Sequence, residues 1–103
     1  MPEYANEVQT EAQRGLLLKV LVSWRMERLP FSEMRIQMLR RLGYNIADEQ
    51  LQFHLKYLEG AGYAQVERLR AGRADYELTT VRATPKGVDL VEGRLRPDDG
   101  VAF

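Results

Sequence analysis

A chain of 103 residues with 45% hydrophobic and 29% charged side chains has the balance of one globular domain, with no room for a second core. Lys plus Arg and Asp plus Glu each number 15, which excludes a strongly basic nucleic-acid coat protein and an acidic tail protein but leaves a local basic patch open. The lack of cysteine removes disulfide scaffolds, thiolate zinc sites, iron–sulfur clusters and cysteine nucleophiles together.

The most apolar stretch, Gly15 to Trp24, is interrupted by Lys19 and falls short of the roughly 18 residues of a membrane span. Met1-Pro2-Glu3-Tyr4 lacks the basic and then apolar regions of a signal peptide, so the expected localisation is cytoplasmic.

Residues 5–27 read as one long helix, free of proline and apolar in nearly every direction between Leu16 and Val22. Such a helix must be covered on more than one side, by its own domain or by a second copy. Leu29-Pro30-Phe31 ends it, because proline disfavours helical geometry at the residue before it. Ser32 is the expected N-cap of a short helix to about Leu42, with Met34, Ile36, Met38, Leu39 and Leu42 on its apolar side and Gly43 as its stop. A third helix is expected to begin near Ile46 to Asp48 and run to about Ala61, capped by Asn45 or Asp48. It turns Leu51, Leu55 and Leu58 inward, flanked by His54, and Gly62 ends it.

The periodicity then changes from helical to alternating. Two strands over residues 63–83 enclose a turn that contains Gly72, the pattern of a hairpin. Thr84 and Pro85 open a last helix over 84–93 as cap and first residue. Residues 94–103, with Pro97, Asp98, Asp99 and Gly100, read as a loose tail. The fold class expected is therefore α+β, mostly α, in a single domain. Its parts are three helices, a two-stranded wing and a short C-terminal helix, the winged helix-turn-helix order with residues 32–61 as the helix-turn-helix.

The segment Leu51-Gln52-Phe53-His54-Leu55-Lys56-Tyr57-Leu58-Glu59-Gly60-Ala61-Gly62-Tyr63-Ala64 resembles the recognition-helix signature of ArsR-like bacterial winged-helix regulators. Ala83-Thr84-Pro85-Lys86-Gly87 resembles the opening of the last helix in that superfamily. The stretch from Gly87 to Arg94 is also similar to small winged-helix proteins of Mu-like prophages. The resemblance covers roughly residues 30–94 and implies a cytoplasmic DNA-binding transcription regulator. The metal-sensing sites of ArsR-type regulators need clusters of Cys or His, and no position here supplies them.

On the third helix, Glu49, Gln52, Phe53 and Lys56 face away from the leucine stripe. Gln suits an adenine edge, Lys a guanine or a phosphate, and Phe a thymine methyl. Asp48 and Glu49 oppose this, since carboxylates are repelled by phosphates, although they complement the helix dipole. The hairpin carries Arg68, Arg70 and Arg73, which suit phosphate or a minor groove. From Arg28 to Arg73 eight basic side chains stand against five acidic ones, a modest surplus of the sign that DNA needs. Double-stranded DNA is the expected partner, with a second copy of the chain paired through Leu18, Val22, Val88 and Val91. No nucleophile, base and orienter assemble, so no enzyme, cofactor or metal is expected. A winged-helix module that binds protein, phage-encoded and without a DNA role, is the alternative.

Overall fold

The computed structural model describes residues 3–71 and 76–103, with side chains from 7–69 and 78–103. Helix α1 spans Glu3–Ser23 and stops four residues before the expected end. Ser23 Oγ donates to the Val20 carbonyl at 2.6 Å, and Arg25 and Met26 then adopt φ of 54° and 64°. Two successive left-handed residues reverse the chain, which a helix running on to 27 would not allow.

The reversal delivers Leu29–Pro30 as a short strand, β1, where only a helix stop was expected. β1 pairs antiparallel with Val81 and Thr80 of the last strand, and Leu29 is fully buried. Proline lacks an N–H, so an edge position of two residues is where it fits. β2 (Ala64–Ala71) and β3 (Tyr76–Ala83) form the expected hairpin, in register from Ala64↔Ala83 to Ala71↔Tyr76. Among the described residues the sheet therefore has three strands rather than two, in the order β1-β3-β2.

Helix α2 (Phe31–Leu42) begins one residue before Ser32, with Pro30 at the cap position and no side-chain cap bond. Gly43 closes it at φ 79°, its N–H donating to the Leu39 carbonyl at 2.8 Å. Met34 and Met38 enter the core, but Ile36 and Leu39 point outward, at 42% and 37% exposure. Helix α3 (Asp48–Gly60) is preceded by Ala47, and neither Asn45 nor Asp48 caps it. Asp48 instead pairs with Arg35 at 2.8 Å and ties the start of α3 to α2. Leu51, Leu55, Leu58 and His54 are all buried, as the leucine stripe requires. Helix α4 (Pro85–Val91) opens as read from the sequence: Thr84 Oγ1 accepts from the Gly87 N–H at 3.2 Å and donates to the Gly62 carbonyl at 2.6 Å.

Leu17, Leu18, Val20 and Leu21 of α1 are each wholly buried within one chain, among α2, α3, α4 and β3. This corrects the assignment of Leu18 to a dimer contact: its Cδ1 is packed toward Gly87 of α4, inside the core. Val22, Val88 and Val91 are only partly buried against that core. The apolar girth of α1 therefore needs no second copy to cover it.

The final segment, expected to be loose, supplies part of that cover. Val101 is buried, and the Ala102 N–H donates to the Glu11 carbonyl of α1 at 3.0 Å. Gly15 permits this approach, since a Cβ there would stand 1.8 Å from the Ala102 carbonyl oxygen. In an open helix Gly→Ala gains about 1 kcal/mol of propensity. Here Gly15→Ala is expected to lift residues 98–103 from α1 and cost about 1–3 kcal/mol net, the range for overpacking. Urea denaturation measures the cost, and faster amide exchange at Ala102 reports the lifting.

Candidate nucleic-acid interface

Because α3 turns its leucines inward, Gln52, Phe53 and Lys56 are left exposed on its opposite face. The face opens into a groove of about 730 Å³ whose other wall is the hairpin, with Arg68 and Val66 of β2 and Thr79 of β3. Arg68 and Thr79 are register partners, so the sheet presents both to the helix. Four of the residues singled out from the sequence, Gln52, Phe53, Lys56 and Arg68, thus line one surface. The side chain of Arg70 and the whole of Arg73 lie outside the described residues.

Glu59 and Thr79 also line the groove and were missed by sequence reasoning. Glu59 was within reach of it, since 52, 56 and 59 follow the i, i+4, i+7 stripe of a helix. Thr79 was not, because only the strand register places it opposite Arg68. Phe31 closes the α2 side.

Among the described residues the groove is electrically even, with Glu49 and Glu59 against Lys56 and Arg68. The two acids expected to repel phosphate are separated by the fold. Asp48 is neutralised by Arg35 and does not line the groove, whereas Glu49 does. Midway along β2 Glu67 is held by Arg28 at 3.0 Å. These pairs are solvent-exposed and contribute little to stability, but they remove two carboxylates from the local field.

Behind Phe53 lies a buried layer that supports α3. His54 is wholly buried, and its Nε2 is 2.8 Å from Gln13 Oε1. A neutral ring with the proton on Nε2 donates that bond, leaving Nδ1 as an acceptor without a partner among the described residues. Gln50 Nε2 lies 3.4 Å from the same ring nitrogen, which has no lone pair to offer in this tautomer. Burial, and then the Arg14 charge, hold the imidazole at about 4. Gln13 also donates to the Tyr44 hydroxyl at 3.2 Å, within an uncharged cleft on the far side of Phe53.

Asp98 anchors the last segment beneath α3. Its carboxylate accepts from the hydroxyls of Tyr57 and Tyr63, both at 2.8 Å, and from the Gly100 N–H at 2.8 Å. Burial alone raises the Asp98 carboxyl, but these three bonds and the Arg14 charge more than offset it and leave it lowered. Burial and the Asp98 bond push Tyr63 up to about 12, and the Asp98 bond is the main cause of the rise at Tyr57.

Among the described residues no three His, Asp or Glu side chains converge to hold a metal ion, and no helix is long and apolar enough to cross a membrane. No protein-family model, curated protein or solved structure matches this chain.

Proposed function

We propose that this chain is a sequence-specific DNA-binding transcription regulator of winged helix-turn-helix type, with α3 as the recognition helix and β2–β3 as the wing. The observation that carries the reading is the shared groove: Gln52, Phe53 and Lys56 on α3 face Arg68 and Thr79 on the hairpin. Base-edge chemistry and phosphate chemistry then lie side by side, as an element in the major groove and a flanking wing require. In this reading a second copy covers the neighbouring half-site, and Val22, Val88 and Val91 remain the apolar side chains for that contact. Light scattering at micromolar concentration tests the pairing, and a monomer withdraws it.

Fluorescence anisotropy on duplex DNA across a salt series tests the reading itself. Lys56→Ala and Arg68→Ala are expected to weaken binding to all sequences and to reduce the salt slope by about 1 each. Gln52→Ala is expected to relax preference at one base pair, at about 1–3 kcal/mol, and to leave the slope unchanged. No binding to any duplex at low salt sinks the regulator reading.

One observation favours a second reading, a protein-interaction module. Among the described residues the groove carries as many acids as bases, and Phe53 stands 55% exposed within it. An exposed aromatic in an uncharged-on-balance groove suits a protein surface as well as a thymine methyl. A salt-insensitive partner that is lost with Phe53→Ala, together with no DNA binding, distinguishes this reading from the first.

A further inference from the structure

We propose that Asp98 is a positioning residue for the groove, holding Phe53 in place on α3 through Tyr57 and Arg14. Asp98 does not line the groove, and it reaches α3 from behind. It binds the Tyr57 hydroxyl directly at 2.8 Å. It also folds Gly100 back on itself through the Gly100 N–H, which turns the Gly100 carbonyl toward Arg14 Nη1 at 3.4 Å.

Arg14 is the connecting piece. It is buried to 9% exposure, and its guanidinium lies 3.9 Å over the Tyr57 ring and 5.3 Å over the Phe53 ring. Its Nε has no hydrogen-bond partner among the described residues. A buried cation so placed is held by two ring faces, one long hydrogen bond and the charge of Asp98. Without the carboxylate, the guanidinium gains more from water than from this site, and it leaves the back of Phe53. The close approach of Gly100 to Tyr57 keeps the arrangement tight: a Cβ at Gly100 would meet the Tyr57 hydroxyl at 2.1 Å.

The link from Phe53 to DNA affinity rests on the regulator reading, whereas the link from Asp98 to Phe53 does not. The experiment therefore has two arms. In the first, aromatic NMR spectra follow the three phenylalanines of the full chain in Asp98→Ala, Asp98→Asn, Arg14→Gln and Leu90→Val. Asp98→Asn keeps the side-chain shape and serves if Asp98→Ala does not fold. The Phe53 signals are expected to shift in the Asp98 and Arg14 variants. They should stay fixed in Leu90→Val, which loosens the core under α4, an element that supplies none of the Arg14 contacts named above. Phe53 signals that stay put while those of Phe103 move overturn the proposal, because the last segment has then come away without consequence for α3. A shift as large in Leu90→Val overturns it as well, as a general loosening.

In the second arm, duplex affinity in the Asp98 variants is expected to fall about tenfold, a usual size for coupling through packed side chains. The salt slope should stay unchanged, because Asp98 neutralises no phosphate. Unchanged affinity with a displaced Phe53 overturns the link to binding. If the unaltered chain binds no duplex, the regulator reading falls, and the Phe53 signals still decide the positioning role.

Discussion

Gly87→Ala is expected to destabilise the protein by about 3 kcal/mol, the top of the range for an added methyl in a packed site. A Cβ at Gly87 would lie 2.2 Å from the Tyr63 carbonyl oxygen and 3.2 Å from Leu18 Cδ1. The nearest obstacle is backbone, and it is held from two directions. The Tyr63 carbonyl accepts the Thr84 N–H at 3.0 Å, and the Tyr63 N–H donates to the Leu58 carbonyl at 2.8 Å. Neither partner moves without separating α4 from the start of β2. At Gly15 the obstacle is the final segment, which can lift away, so the smaller cost predicted there follows. At Gly60 an added methyl would meet no atom of the described residues within 4 Å, and Gly60→Ala is the matched control, neutral or up to about 1 kcal/mol stabilising. For a domain of this size the Gly87→Ala loss corresponds to a fall in Tm of roughly 15 °C. Thermal unfolding followed by circular dichroism measures it, and a melting temperature equal to that of the unaltered chain refutes the steric account.

His54 is expected to make stability depend on pH between about 6.5 and 4. In the folded chain the imidazole is held at about 4, below its ordinary value of 6.5. As pH falls through 6.5 the unfolded chain takes up a proton that the folded chain refuses, so the equilibrium moves toward unfolding. The stability contributed by neutral His54 is therefore complete above 6.5, declines between 6.5 and 4, and declines no further below that. A displacement of this size is worth at most about 3 kcal/mol. Asp98 acts in a different window. Its lowered carboxyl contributes stability above its ordinary value of 3.8, and that stability is lost only as pH falls below it. Urea denaturation at pH 7.5 and 4.5 separates the two. His54→Gln keeps an amide donor for Gln13 and removes the titration, so the fall between these two values should shrink toward zero. An equal fall in His54→Gln and the unaltered chain assigns the acid sensitivity to other groups.

The face of α3 was legible because period alone decides it. Once Leu51, Leu55 and Leu58 are taken as inward, Gln52, Phe53 and Lys56 have no other direction to point. The close of α2 at Gly43 and the opening of α4 at Thr84-Pro85 were legible for a similar reason. Each depends on a few neighbouring residues whose backbone preferences are strong. The start of α3 at Asp48 was legible too, but the caps of α2 and α3 were not, because Ser32, Asn45 and Asp48 are good caps by type and the fold uses none of them. Asp48 is taken up by Arg35, a partner 13 positions away.

The largest misreading concerned α1, and it has one physical cause. Apolar girth from Leu16 to Val22 states how much surface must leave water, and it does not name what covers it. Local sequence alone determined the four helices, the hairpin, the leucine stripe and the exposed face that opens to the groove. Tertiary structure decided three further things. Leu29-Pro30 became a strand because Val81 and Thr80 offered an open edge. Residues 98–103 became a strap because Gly15 lets a carbonyl meet the helix and two tyrosine hydroxyls converge on Asp98. Leu18 became core because α4 closes over it at Gly87. Each depends on a contact between residues far apart in the chain, and no propensity or period within a single element carries information over that distance.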